Sequence, residues 1–216
     1  MIYKFGGTES FTAKFLEIMQ ELYPATEISL ITEVFKGGDE LTEQQMINRL
    51  NGAYGTSIKS AHFSVRYIST KEQKASRNIF ARLFRKYNAI TFQKKLCNIT
   101  KSDDLFINCS NQAVIASAKR NITIIHFPQD RSELSLTNKN NPLLRLIARK
   151  NDKKYLSCYE YFMPNSQFTA FWLKQKWQIS SDKICVCYPP ITLLKPTENK
   201  NMFQIFACGR IEASKK

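Results

Sequence analysis

A doubly wound α/β fold with a mostly parallel sheet is the class this sequence predicts, and two observations predict it. Short runs with β-branched residues alternate with longer segments of helical spacing, and the runs are apolar at nearly every position rather than at every second one. A strand with one face in water alternates, whereas a strand covered on both faces does not, and helices on both sides of a parallel sheet supply that cover. Ligands in such folds sit at the carboxyl ends of strands, where a loop leads into the next helix, so functional residues are expected just after strands.

The elements follow in order. Only MIYKF precedes Gly6-Gly7-Thr8, so the strand expected ahead of that turn is short or missing. The first helix, in TESFTAKFLEIMQELYP, sets Phe11, Phe15, Ile18, Met19 and Leu22 on one stripe, with Thr8 as the expected N-cap. EISLIT (27–32) and HFSVRYI (62–68) read as strands, and SRNIFARLFRKYN then places Ile79, Phe80, Leu83, Phe84 and Tyr87 on a helical stripe. DLFINCS (104–110) and ITIIHF (122–127) are the next strands, and PLLRLIARKNDKK (142–154) is a basic helix. Asn165-Ser166 makes a turn and cap before a helix over 167–177 in which Phe168, Phe171, Trp172 and Gln175 share a stripe. KICVCY (183–188) is a further strand, after which Pro189, Pro190 and Pro196 with the polar PTENKN form a linker, and FQIFACG (203–209) starts anew. The expected organisation is one domain over 1–194 and, over 195–216, the linker with the first strand and loop of a second, the chain looking cut at both ends.

Composition narrows the function classes. Hydrophobic residues at 43% and charged residues at 23% are ordinary globular usage, which excludes wholesale disorder. The net charge of +14 is uneven: residues 1–50 hold 4 Lys/Arg against 8 Asp/Glu, leaving 28 against 10 in the rest. Such a field gathers phosphates, so the partners it allows are nucleic acid, an anionic lipid surface or a phosphorylated substrate. The six cysteines sit mostly in apolar runs, without CxxC or zinc spacing, and read as free, buried and reduced, in a cytoplasmic setting. No signal segment opens the chain, so the NIT and NCS triplets are discounted as glycosylation sites, and any membrane contact is expected to be peripheral.

Each candidate site has a plain structural role beside its chemical one. Gly6 and Gly7 can form a helix start, or let a diphosphate rest against backbone amides at a helix N-terminus. His126 ends a strand ahead of Phe127-Pro128, where it serves either as a satisfied structural side chain or as a hydrogen-bonding or acid/base group to a substrate hydroxyl. His62 reads as structural. The basic residues Arg77, Arg82, Arg85, Lys86, Lys94 and Lys95, with the helix at 142–154, make solvated faces or a dock for anionic head groups. Gly209, Arg210 and Lys215 follow a buried run and match a phosphate site: backbone approach, a bidentate grip and a point charge.

Taken together in order, GGTES, DLFINCS, ITIIHFP, MPNSQFTAFWLKQKWQI, KICVCYPPI and FACGRIEASKK resemble the family-4 glycosyltransferases, the retaining two-domain (GT-B type) enzymes that use nucleotide-sugar donors. The likeness covers most of the chain, and HFP is similar to members that move mannose or related sugars to lipid-linked or polysaccharide acceptors. It implies a Rossmann-like N-terminal half of such an enzyme, with Gly6 and Gly7 at the donor diphosphate, His126 near the transferred sugar, and Arg210 and Lys215 on the leaving diphosphate. It also implies that no metal or other cofactor is needed, that configuration is retained, and that the protein works in the cytoplasm at the inner face of a membrane.

The sequence departs from the family in two places. The first strand is nearly absent, and the glutamate-rich donor motif of a second domain lies beyond the last residue, so this chain by itself is expected to bind nucleotide sugars weakly or not at all and to show no transfer. A non-catalytic remnant or interaction module of transferase fold is one rival. A basic nucleic-acid-binding domain is another, although no DNA- or RNA-reading motif interleaves the basic residues.

Overall fold

The computed structural model of the chain describes residues 6–35, 38–70, 79–110, 112–128 and 142–190, with backbone alone over 79–86 and 142–149. Along it run α1 (Gly7–Leu22), β1 (Ile28–Phe35), α2 (Glu43–Tyr54), β2 (Phe63–Thr70), α3 (Ile79–Thr100), β3 (Leu105–Asn108), β4 (Arg120–Ile125), α4 (Pro142–Cys158), β5 (Tyr161–Pro164) and α5 (Gln167–Trp177). The class is mixed α/β, and every ladder is parallel. β1 pairs with β2 from Ile28↔Phe63 to Phe35↔Thr70, while β4 lies between β3, in register Leu105↔Arg120, and β5, in register Ile122↔Tyr161. Among the described residues no ladder joins the two-stranded sheet to the three-stranded one.

Burial follows from these positions. β4, the central strand, buries Asn121, Thr123, Ile124 and Ile125, faces of both parities, which is the unalternating pattern its sequence shows. β1 instead buries Leu30, Thr32 and Val34 on one face and half-buries the other. Ile68 of β2, Leu96 of α3 and Val114 form a cluster lined by Ile31 and Phe106, so side chains of both sheets meet in one core although their backbones do not pair. Arg66 of β2 adds a polar tie. Its guanidinium donates to both carboxylate oxygens of Asp103 (3.1 and 2.7 Å) and to the Ile99 carbonyl (3.0 Å), a fork geometry that fixes β2 against the end of α3.

Three helical stripes differ from expectation. In α1 the buried residues are Phe11, Ala13 and Leu16, and Leu22 is exposed. Tyr87 of α3 is exposed too; Ile79, Phe80, Leu83 and Phe84 lie outside the described side chains, as do Arg77, Arg82, Arg85 and Lys86. In α5 the buried face is Thr169, Ala170, Leu173 and Trp177, and the stripe of Phe168 and Phe171 points away from the core. Its packing partners explain the choice: Trp177 and Leu173 close on Tyr155, Tyr159 and Phe162, with Tyr155 meeting Trp177 edge-on at 5.9 Å.

Local chemistry sets other boundaries. α2, which no stripe announced, starts at a capping box: the Gln45 amide donates to Thr42 Oγ1 (3.3 Å) and the Thr42 amide to Gln45 Oε1 (2.8 Å). It ends at Gly55, whose φ of 59° is a left-handed conformation that suits glycine. KICVCY is not a full strand. Ser181–Lys183 form a 3-10 turn, Ile184 makes a single parallel bridge to Phe162, and the Cys185 and Cys187 amides donate to the Phe162 and Pro164 carbonyls. Pro189 and Pro190, without N–H groups, then cut the pairing off. The linker beyond Pro190, Cys208 and the FQIFACG run fall outside the described residues, and with them the boundary placed near residue 194.

Candidate functional site

His126 follows directly on β4, at its carboxyl end, as a strand-then-loop reading requires. Two neighbours hold that end in place: the Asn165 amide donates to the Ile125 carbonyl (3.0 Å), and Thr169 Oγ1 reaches the His126 carbonyl at 3.4 Å. The imidazole meets the ring of Phe11 edge-on, centroids 5.6 Å apart and planes at 90°. Phe11 belongs to the second turn of α1, so the helix entered through Gly6-Gly7 is packed directly against the carboxyl end of β4. Burial lowers the His126 pKa below the ordinary imidazole value, with the Cys109 carbonyl, an acceptor for the ring N–H, pulling the other way. Nε2 is buried with no hydrogen-bond partner among the described residues, which leaves Nδ1 as the donating nitrogen and Nε2 as a bare lone pair.

Cys109 closes the same corner from β3. Its thiol is desolvated, and burial pushes its pKa up to about 12, opposed by a hydrogen bond with Thr12 of α1. A thiol held this far toward its neutral form is a packing group, not a nucleophile. Phe11 and Thr12 of α1, Cys109 after β3 and His126 after β4 are thus gathered in one region, from segments far apart in the chain, with Gly7 about one helical turn before Phe11.

The glycine turn itself holds a surprise. Gly6, in extended conformation, is the N-cap of α1, and Thr8, the expected cap, lies inside the first turn, where its carbonyl accepts from Thr12 Oγ1 (2.9 Å). The Glu9 carboxylate folds back over Gly6, so that a Cβ at Gly6 would come within 2.6 Å of Glu9 Oε2. The Tyr54 hydroxyl also faces Gly6; burial raises its pKa, while the Gly6 backbone N–H and Arg49 pull it down. A carboxylate at a helix N-terminus is electrostatically favourable, and it occupies the ground an incoming diphosphate would use. Gly7 differs: a Cβ there would meet nothing within 4 Å, so its backbone is open to close approach.

Asn165 and Ser166 have the structural role expected of them. Ser166 Oγ accepts from the Thr169 amide (3.1 Å), and Asn165 Oδ1 accepts from Thr169 Oγ1 (2.7 Å). His62 is structural as well, in the left-handed region at φ 56° with Nδ1 2.6 Å from Glu27 Oε1. Arg210 and Lys215 lie outside the described residues. Of the basic helices, Lys94, Lys150, Lys153 and Lys154 are exposed, and Lys95 donates to the Ser69 carbonyl (2.7 Å). Of the cysteines expected to be buried, Cys97, Cys109, Cys158 and Cys187 are half-buried instead, and Cys185 is exposed.

Sequence reasoning missed Glu9, Phe11, Thr12, Tyr54 and Cys109 as neighbours of the site. No spacing rule links them to His126; the only hint is that Glu9 lies three residues beyond Gly6, within reach of a helix start. Among the described residues no group of three His, Cys, Asp or Glu side chains is placed to hold a metal ion, and no helix is long and apolar enough to cross a membrane. Compared with known proteins, the chain matches no family model, no curated protein and no solved structure. The fold and site therefore define an α/β protein with parallel sheets in which the helix following a glycine turn packs through Phe11 on a strand-end histidine.

Proposed function

We propose that the chain is the acceptor-side, doubly wound Rossmann-like half of a retaining, family-4-type glycosyltransferase, which moves a mannose-like sugar from a nucleotide-sugar donor to a lipid-linked or polysaccharide acceptor at the inner face of a membrane. One observation supports the proposal: the Phe11–His126 contact, which sets the helix that follows the Gly6-Gly7 turn against the strand-end histidine. In this reading the open backbone at Gly7 meets the donor diphosphate, and the His126 Nε2 lone pair accepts from a hydroxyl of the transferred sugar once that atom is uncovered. Arg210 and Lys215 neutralise the departing diphosphate, a role resting on the sequence resemblance. Such a site promotes departure of a phosphate leaving group by charge stabilisation alone, so the chemistry calls for neither a metal nor a protein acid.

Glu9 favours a second reading, an interaction module of transferase fold whose glycine turn is closed by its own carboxylate. One pair of variants separates the two. Under the first reading Gly7→Val, whose Cβ meets no described atom within 4 Å, keeps the parent melting temperature and abolishes nucleotide-sugar signals in saturation-transfer NMR, while Glu9→Gln strengthens them. Under the second, neither variant changes the spectrum.

A further inference from the structure

The outward stripe of α5 continues across the loop after β4 into one exposed aromatic cluster. Phe127, Phe168 and Phe171 are 50%, 64% and 54% exposed, in a class of side chain that folding ordinarily buries. They are joined in a chain of ring contacts through Trp172. Phe127 stacks on Phe168 with centroids 6.5 Å apart, and Trp172 meets Phe168 at 6.3 Å and Phe171 at 5.5 Å, both edge-on. Lys176 Nζ stands 5.3 Å from the Phe127 ring centre and 5.7 Å from that of Trp172. The core does not need these rings, since α5 is already anchored by Leu173 and Trp177 on its other face.

We propose that this cluster docks the protein on an anionic lipid bilayer, with Phe168 and Phe171 entering the head-group boundary and the surrounding lysines on lipid phosphates. It rests on the membrane-side location in the function proposed above and assigns it a surface, α5 and Phe127 in place of the basic helices alone. Charge complementarity selects the occupant. α5 contains Lys174 and Lys176 and no acidic residue, so the charge carried by the helix that presents the cluster is wholly positive. A second copy of the chain would bring like charges together. Single-stranded nucleic acid needs open ring faces on which bases stack, and here Phe127 is already stacked on Phe168 and capped by Lys176, which also stands over Trp172. Apolar bulk ringed by cations is instead the composition of an interfacial element. Phe127 also adjoins His126, so docking here sets the candidate site at the bilayer surface, where a lipid-linked acceptor resides.

The test is co-sedimentation of the full chain with vesicles of phosphatidylcholine alone and of equal parts phosphatidylcholine and phosphatidylglycerol. The parent is expected to bind the mixed vesicles and not the neutral ones. Phe168→Ser with Phe171→Ser, both exposed, should melt like the parent and lose about tenfold or more in partitioning, and Lys174→Glu with Lys176→Glu should lose binding to the same vesicles. Equal binding by parent and Phe168→Ser/Phe171→Ser would overturn the proposal. So would a loss confined to oligonucleotide binding or to self-association. Neither donor nor turnover enters this measurement, so failure of the glycosyltransferase reading leaves it standing, and its own failure leaves that reading untouched.

Discussion

His126 carries a pH signature that its position at the end of β4 makes measurable. Burial depresses its folded pKa, so below the ordinary imidazole value of about 6.5 the unfolded chain binds a proton that the folded chain resists. Its contribution to stability is therefore complete above about pH 6.5 and is lost as pH falls toward the lower folded pKa. Circular-dichroism melts on either side of that window should show a larger acid-side drop in melting temperature for the parent than for His126→Gln. Equal drops would mean the ring is not desolvated in solution. Cys109 makes the opposite statement at the same corner: its raised pKa predicts inertness, which separates it from the imidazole beside it.

At the scale of elements, the hydrogen-bonded cap of α2 is the clearest local determinant. Replacing Thr42 by Ala removes the acceptor for the Gln45 amide and should cost about 1 kcal/mol, read as a lower urea midpoint at unchanged slope. A change in slope would point to loss of two-state unfolding instead. That cap was legible in TEQQ, but the helix it opens has no long apolar stripe, and periodicity alone passed over it. Strands were the most readable elements, because EISLIT, HFSVRYI, DLFINCS and ITIIHF are short, mostly apolar runs, and each overlaps a strand. YFMP was passed over: four residues ending in proline carry no period, and only pairing with Ile122–Ile125 makes them β5. The helix faces failed for a different reason. α5 has large apolar residues on opposite sides, and which side is buried is decided by Tyr155, Tyr159 and Phe162, which come from α4 and the strand after it. The candidate site divides in the same way. His126 was singled out by its place after an expected strand and Gly7 by a glycine turn ahead of a helix, whereas Phe11 and Tyr54 become neighbours of these positions only through tertiary contact.

Along the whole sequence a negative N-terminal fifty residues precede a strongly positive remainder, and α1, from the negative segment, packs on His126 of the positive one. The central claim is that this junction receives the sugar end and diphosphate of one ligand. The chain has only two histidines, His62 and His126, so its imidazole nitrogens give a spectrum with few signals. The most direct measurement is a titration of the nitrogen-15-labelled chain with a panel of nucleotide sugars at millimolar concentrations, following the imidazole and amide resonances together. Our account predicts weak binding in which the His126 Nε2 and Gly7 amide signals shift along one curve for at least one donor, while His62 stays still. Absence of any shift at His126 and Gly7 across the panel, or their perturbation by oligonucleotides instead, would contradict it.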